Sequence, residues 1–140
     1  MFIKNSIHAR ILLLLACIGT LTAIAFLYPS GVEPAALDVM GECAQEQDRG
    51  PCYEREVPAL LDSMALKDVF AVIRTLREKD PAYQFCHVTA HKVGEQIVAQ
   101  DPARWIEAMA LNPSDGLCSN GFLHGVIGGK FRAEVLDAET

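Results

Sequence analysis

The sequence predicts an all-α protein: a small helical domain, stapled by disulfides, that follows one N-terminal transmembrane helix. Three observations lead there. Ile11 to Tyr28 is a run of 18 residues without a charge. Beyond it, apolar residues recur at three and four positions, and no stretch alternates with the period of two that a half-buried strand needs. Four of the five cysteines lie past the apolar run, an even number that suits disulfide pairing.

The first element is the apolar run. It is preceded by MFIKNSIHAR, which carries Lys4 and Arg10 and no acid. Eighteen helical residues rise about 27 Å, close to the roughly 30 Å hydrocarbon core of a bilayer. The positive flank stays in the cytoplasm, so residues 29–140 are expected outside it. The leading expectation is a single-pass anchor in the cell membrane, with residues 1–28 as cytoplasmic N-terminus and membrane segment and 29–33 as linker. A cleaved signal peptide is the alternative, because Ala23-Ile24-Ala25 has the small-x-small form of a cleavage site. The protein would then be secreted or periplasmic after cleavage near Ala25. A lipoprotein acylated at Cys17 is a third reading, against which Ile18 to Leu27 stays apolar. His8 lies on the cytoplasmic side and has no assigned role.

Residues 34–140 form the expected extracytoplasmic domain. All 18 acids lie beyond the apolar run, with ten of the 12 basic residues, so this part carries a formal charge of −8. An acidic surface repels phosphate backbones, which excludes nucleic acid as a partner. No Gly-rich phosphate loop and no Gly-x-Ser-x-Gly elbow is present, so no nucleotide cofactor is expected. The expected partners are the membrane, through the N-terminal helix, and a protein of the cell envelope.

Pro34 to Gln47 reads as a weak helix, broken at Arg49-Gly50-Pro51. Pro51 to Leu61 reads as a second. Ser63 stands where an N-cap belongs, ahead of a segment in which Leu66, Val69, Phe70, Ile73 and Leu76 share one helical face. Asp80-Pro81 looks like a cap followed by a first-turn proline, opening a central helix from Tyr83 to Ala99. Asp101-Pro102 repeats the device before Trp105, Ile106, Met109 and Leu111. Asn112 to Gly116 is a turn, and a last helix is expected from Ser119 to Arg132. The ending RAEVLDAET has no helix-stop signal, the expectation for a chain that continues beyond this piece.

The exported cysteines are Cys43, Cys52, Cys86 and Cys118. Four cysteines allow three pairings. The expected one joins Cys43 to Cys52 across the Gly50-Pro51 break and Cys86 to Cys118 between the central and last helices. Thiol redox chemistry at Cys86 and Cys118 is a further reading, although no Cys-x-x-Cys is present.

His87 and His91 are four apart, so both lie on one face of the central helix. That spacing lets two imidazoles share a metal. Glu95 extends the face by one turn. A Cys86–Cys118 bridge would bring His124 into the same region, and Gly94, Gly121 and Gly125 would let the two helices approach closely. The expected site is therefore His87, His91 and His124, with Glu95 or water completing it. These ligands suit zinc, copper or iron. Covalent haem is not expected, since Cys-x-x-Cys-His is absent. Val88 occupies the place of the general-base Glu in His-Glu-x-x-His, so the usual zinc-protease chemistry lacks its base. Two competing readings are plain: the histidines are polar interface residues beside a disulfide, or Cys86, Cys118, His91 and His124 form a reduced Cys2His2 zinc site.

CHVTAHKVG followed by CSNGFLHG resembles a group of exported bacterial and archaeal proteins. Their pattern is Cys-His-x-x-x-His-x-x-Gly, then Cys-x-x-Gly-x-x-His-Gly. Cys86, His87, His91 and Gly94 match the first part, and Cys118, Gly121, His124 and Gly125 the second. The resemblance covers about Tyr83 to Gly129. It implies that the histidines and cysteines belong together as one unit, and it brings no reaction with it. The expectation is a membrane-anchored extracytoplasmic metal-binding protein; the alternative is a non-catalytic, disulfide-stapled interaction domain of the cell envelope. No catalytic residue is assigned.

Overall fold

The first described helix, α1 (Val32–Cys43), starts immediately after Gly31 and buries Ala36, Val39 and Cys43 on one face. The structure is a computed structural model that describes residues 31–138 except Gln84, with side chains as far as Arg132. The expected membrane segment lies outside the described residues. Among those described, no helix is long and apolar enough to cross a membrane.

α2 (Gly50–Ala59) opens with Pro51 in its first turn, where a missing N–H costs nothing. Pro58 removes a donor near its end, and the chain tightens into a 3-10 turn, Leu60–Asp62. α3 (Leu66–Lys79) buries Val69, Phe70, Val72, Ile73 and Leu76. The expected face is present, with Leu66 only half-buried at its start and Val72 added. Ser63 is not its cap. Ala65 holds that position in extended backbone, while the Ser63 hydroxyl donates back to the Leu60 carbonyl. Arg77 and Lys79 sit in the last turn, where the helix dipole favours cations.

The central helix, α4, runs His87–Gln100, four residues later than the sequence suggests. The reason is Asp80. Instead of capping a helix, its carboxylate is drawn into the core, and Pro81 and Ala82 form a turn. Asp101-Pro102 behaves as expected: the Asp101 side chain accepts from the Ala103 amide and opens a 3-10 turn, Pro102–Arg104, that leads into α5 (Trp105–Met109). Trp105 and Met109 face inward, whereas Ile106 and Leu111 are exposed. α6 (Leu117–Ala138) completes the order. No strand occurs among the described residues.

α4 and α6 make the most extensive interface, with α1 against α3 and α2 against α4. Edge-on aromatic pairs lock the layers: Phe70 with Phe122 at 5.1 Å between α3 and α6, and Trp105 with Phe131 at 5.6 Å between α5 and α6. Both expected disulfides are formed, Cys43–Cys52 and Cys86–Cys118. The first ties α1 to α2, and the second ties the start of α4 to the start of α6.

Candidate functional site

The site is built where α4 crosses α6. A Cβ on Gly121 would collide with the His87 carbonyl oxygen, and one on Gly125 with the His91 carbonyl oxygen. From the other side, a Cβ on Gly94 would meet Val126 N at 2.7 Å. The expected close approach is therefore real: glycines let the α6 backbone rest directly on that of α4. His124 lies between Gly121 and Gly125 in sequence and is carried to the same edge.

The His87 and His124 rings are 5.3 Å apart between centroids, and His87 and His91 are 6.5 Å apart. His87 and His91 are half-buried, and His124 is exposed. His87 Nδ1 lies 2.9 Å from the Cys118 carbonyl oxygen. A carbonyl only accepts, so Nδ1 carries the proton, and the tautomer this selects has its lone pair on Nε2. His91 Nδ1 faces Glu95 Oε1 at 3.4 Å. The far side of the His91 ring lies over Gly128, whose Cβ would sit 3.8 Å from Nε2. Burial pushes the His91 imidazolium below its usual range, with Glu95 working in the opposite direction.

Glu95 is engaged elsewhere. Lys92 donates to it at 2.9 Å, and Arg132 lies 3.0 Å from Oε1 as an ion pair without hydrogen-bond geometry. Burial alone would raise its carboxyl, but Lys92 and Arg132 outweigh this and hold it below the usual carboxylate range. Glu95 thus stands behind His91 rather than beside all three rings. Among the described residues, no three His, Cys, Asp or Glu side chains are gathered as a metal-holding group. The reduced Cys2His2 alternative is overturned: Cys86 and Cys118 spend their sulfurs on each other.

The backbone at the start of α6 is unusual. Cys118, Ser119 and Asn120 have φ of 54°, 54° and 58°. They are the only non-glycine residues in the left-handed region among those described, and such residues usually occur singly. A Cys-x-x-Gly spacing does not reveal this. The bridge on one side and His87 on the other hold the turn through Cys118.

A second cluster also escapes a reading by motif. Asp80 is 1 % exposed. It accepts from Arg49 at 2.9 Å, from the Tyr53 hydroxyl, and from the Ala82 amide at 2.9 Å. Burial opposes its ionisation, yet the Tyr53 hydroxyl and the Arg49 guanidinium prevail, and its carboxyl lies below the usual range. Burial and the neighbouring Asp80 push the Tyr53 phenol up to about 12. The partners are 27 and 31 residues away in sequence, so no local signal announces them.

Comparison with protein-family models, curated proteins and solved structures found no match. Fold and geometry alone define the class: an all-helical, disulfide-stapled domain with a histidine cluster at its main helix crossing.

Proposed function

We propose that this protein is a membrane-anchored, extracytoplasmic metal-binding module that holds one transition metal on His87, His91 and His124. The observation that carries the reading is the hydrogen bond between His87 Nδ1 and the Cys118 carbonyl. Metal-bound histidines characteristically give their other ring N–H to a carbonyl or carboxylate, which fixes the tautomer and aims the free nitrogen. His87 has the carbonyl, while His91 faces Glu95 Oε1 at 3.4 Å as a charge contact without a hydrogen bond.

Distances support the same reading. Two imidazoles on one tetrahedral metal place their ring centres about 5 Å apart, given metal–nitrogen bonds of about 2 Å. His87 and His124 stand at 5.3 Å. His87 and His91 stand at 6.5 Å, so His91 has to move inward by about 1.5 Å, with water as the fourth ligand. Three imidazole nitrogens suit zinc, copper or iron.

The test is metal content. The protein is made in an oxidising periplasm without a His tag, and bound metal is measured by mass spectrometry in the parent, His87→Ala and His124→Ala. About one metal per chain, lost in both variants, is the expected result. An empty parent, even after zinc, copper and iron are added back, overturns the reading. The alternative, a non-catalytic interaction domain, is favoured by Phe85, which is 90 % exposed at the mouth of α4.

A further inference from the structure

The two disulfides occupy different surroundings. All four cysteines are buried, Cys43 and Cys52 at 0 % and 2 % exposure, and only the second bridge borders a cavity. Cys86 and Cys118 form part of the wall of a cavity of about 570 Å³, with Arg74, Arg77 and His87 beside them. That volume suits a ligand of small-peptide size.

Three independent features make this bridge the more exchangeable one. Cys86 is the N-cap of α4, a helix of 14 residues, and no side chain caps its first-turn amides. Negative charge that develops on Cys86 sulfur as the bridge opens is therefore met by the positive end of a helix dipole. Cys118 begins three successive left-handed non-glycine residues, a backbone state that costs energy and relaxes when its restraint is released. The cavity wall also carries two arginines, Arg74 and Arg77, against two acids, Glu78 and Asp115. Arg74 is paired with Asp115 at 2.7 Å, while Arg77 has no ion-pair partner among the described residues.

We propose that Cys86–Cys118 is a thiol–disulfide exchange site, and that the cavity takes a small thiol bearing carboxylates, recognised by Arg77. The proposal is independent of metal binding. A substrate thiol loses its proton to water, and its thiolate attacks the sulfur of Cys118, the residue of the pair that is 7 % exposed against 3 % for Cys86. An S–S bond forms to Cys118 while the Cys86–Cys118 bond breaks, and Cys86 leaves as the thiolate at the helix N-terminus. A second substrate thiolate attacks the substrate sulfur of the mixed disulfide and releases Cys118. Two substrate thiols are oxidised to one disulfide, the protein bridge is reduced by two electrons, and both cysteines take protons from water.

The core bridge is an internal control. The full chain, with Cys17 alkylated beforehand, is exposed to glutathione or to uncharged 2-mercaptoethanol at equal thiolate concentration. Each bridge is then scored over time by differential alkylation and mass spectrometry. With glutathione, Cys86–Cys118 is expected to open about tenfold faster than Cys43–Cys52. Arg77→Ala is expected to slow this about threefold with glutathione and to leave the rate with 2-mercaptoethanol unchanged. Equal rates at the two bridges, or earlier opening of Cys43–Cys52, overturn the exchange site. A rate that Arg77→Ala leaves unchanged with both thiols overturns the recognition of carboxylates.

Discussion

Gly125 of α6 sits against the carbonyl oxygen of His91 in α4 so closely that no side chain fits between them. The contact is backbone on backbone, so neither partner can turn aside as a flexible side chain would. Gly125→Ala must push the two helices apart and is expected to cost about 3 kcal/mol, the upper range for overpacking. Denaturant unfolding checks this. Gly128→Ala is the control, because its Cβ would meet His91 at an ordinary 3.7 Å.

Asp80 predicts an acid limb in stability. Its folded carboxyl lies below the unfolded value of about 3.9, so the stabilisation is fully present above that pH and is lost as pH falls through the lower folded value. Asp80→Asn leaves the Tyr53–Asp80 contact without its charge and is expected to cost about 2 kcal/mol at neutral pH. It should also flatten the loss of stability as pH falls below about 4, the side on which the displaced carboxyl takes up its proton. Thermal melts across that range, parent against variant, check both parts.

The two bridges should differ in stabilisation. In the chain-entropy account, closing the 9-residue separation of Cys43–Cys52 is worth about 2.6 kcal/mol, and the 32-residue separation of Cys86–Cys118 about 3.7. Paired Cys→Ala variants are expected to rank in that order. The left-handed turn at Cys118 works against the difference, since the backbone relaxes when the bridge is removed.

His87 has a structural role apart from any metal. With chelator present, His87→Gln is expected to cost about 1 kcal/mol through the altered hydrogen bond to the Cys118 carbonyl. If a metal is bound, chelator should lower the parent's stability by about 3 kcal/mol at a hundredfold excess over the dissociation constant. It should leave His124→Ala unchanged. Melting curves with and without chelator separate the two contributions.

Much of the fold was legible from local chemistry. The α3 stripe of Val69, Phe70, Ile73 and Leu76 follows from helical period, and the Asp101-Pro102 start follows from a short side chain reaching its own backbone two residues on. The bridge Cys86–Cys118 and the glycine contact were legible because each depends on residue type alone: a cysteine that needs a partner, and a glycine without a Cβ. Ser63 and Asp80 show where such reasoning stops. Both are good caps by type, but Asp80 meets Arg49 and Tyr53, and a buried carboxylate gains more from a cation and a phenol than from a helix amide.

By itself, then, the amino-acid order determined the helical class, the two disulfides and the edge to which His87, His91 and His124 are brought. Only the tertiary structure decided that Glu95 is held by Lys92 and Arg132, that His91 lies over Gly128, and that Cys118 to Asn120 turn left-handed beside a cavity that also takes in Arg74 and Arg77. The difference is physical. Periodicity, caps and cross-links act through the chain's own covalent geometry over a few residues. Which charge a carboxylate meets, and which way a ring faces, depends on side chains that arrive from other helices once those helices have packed.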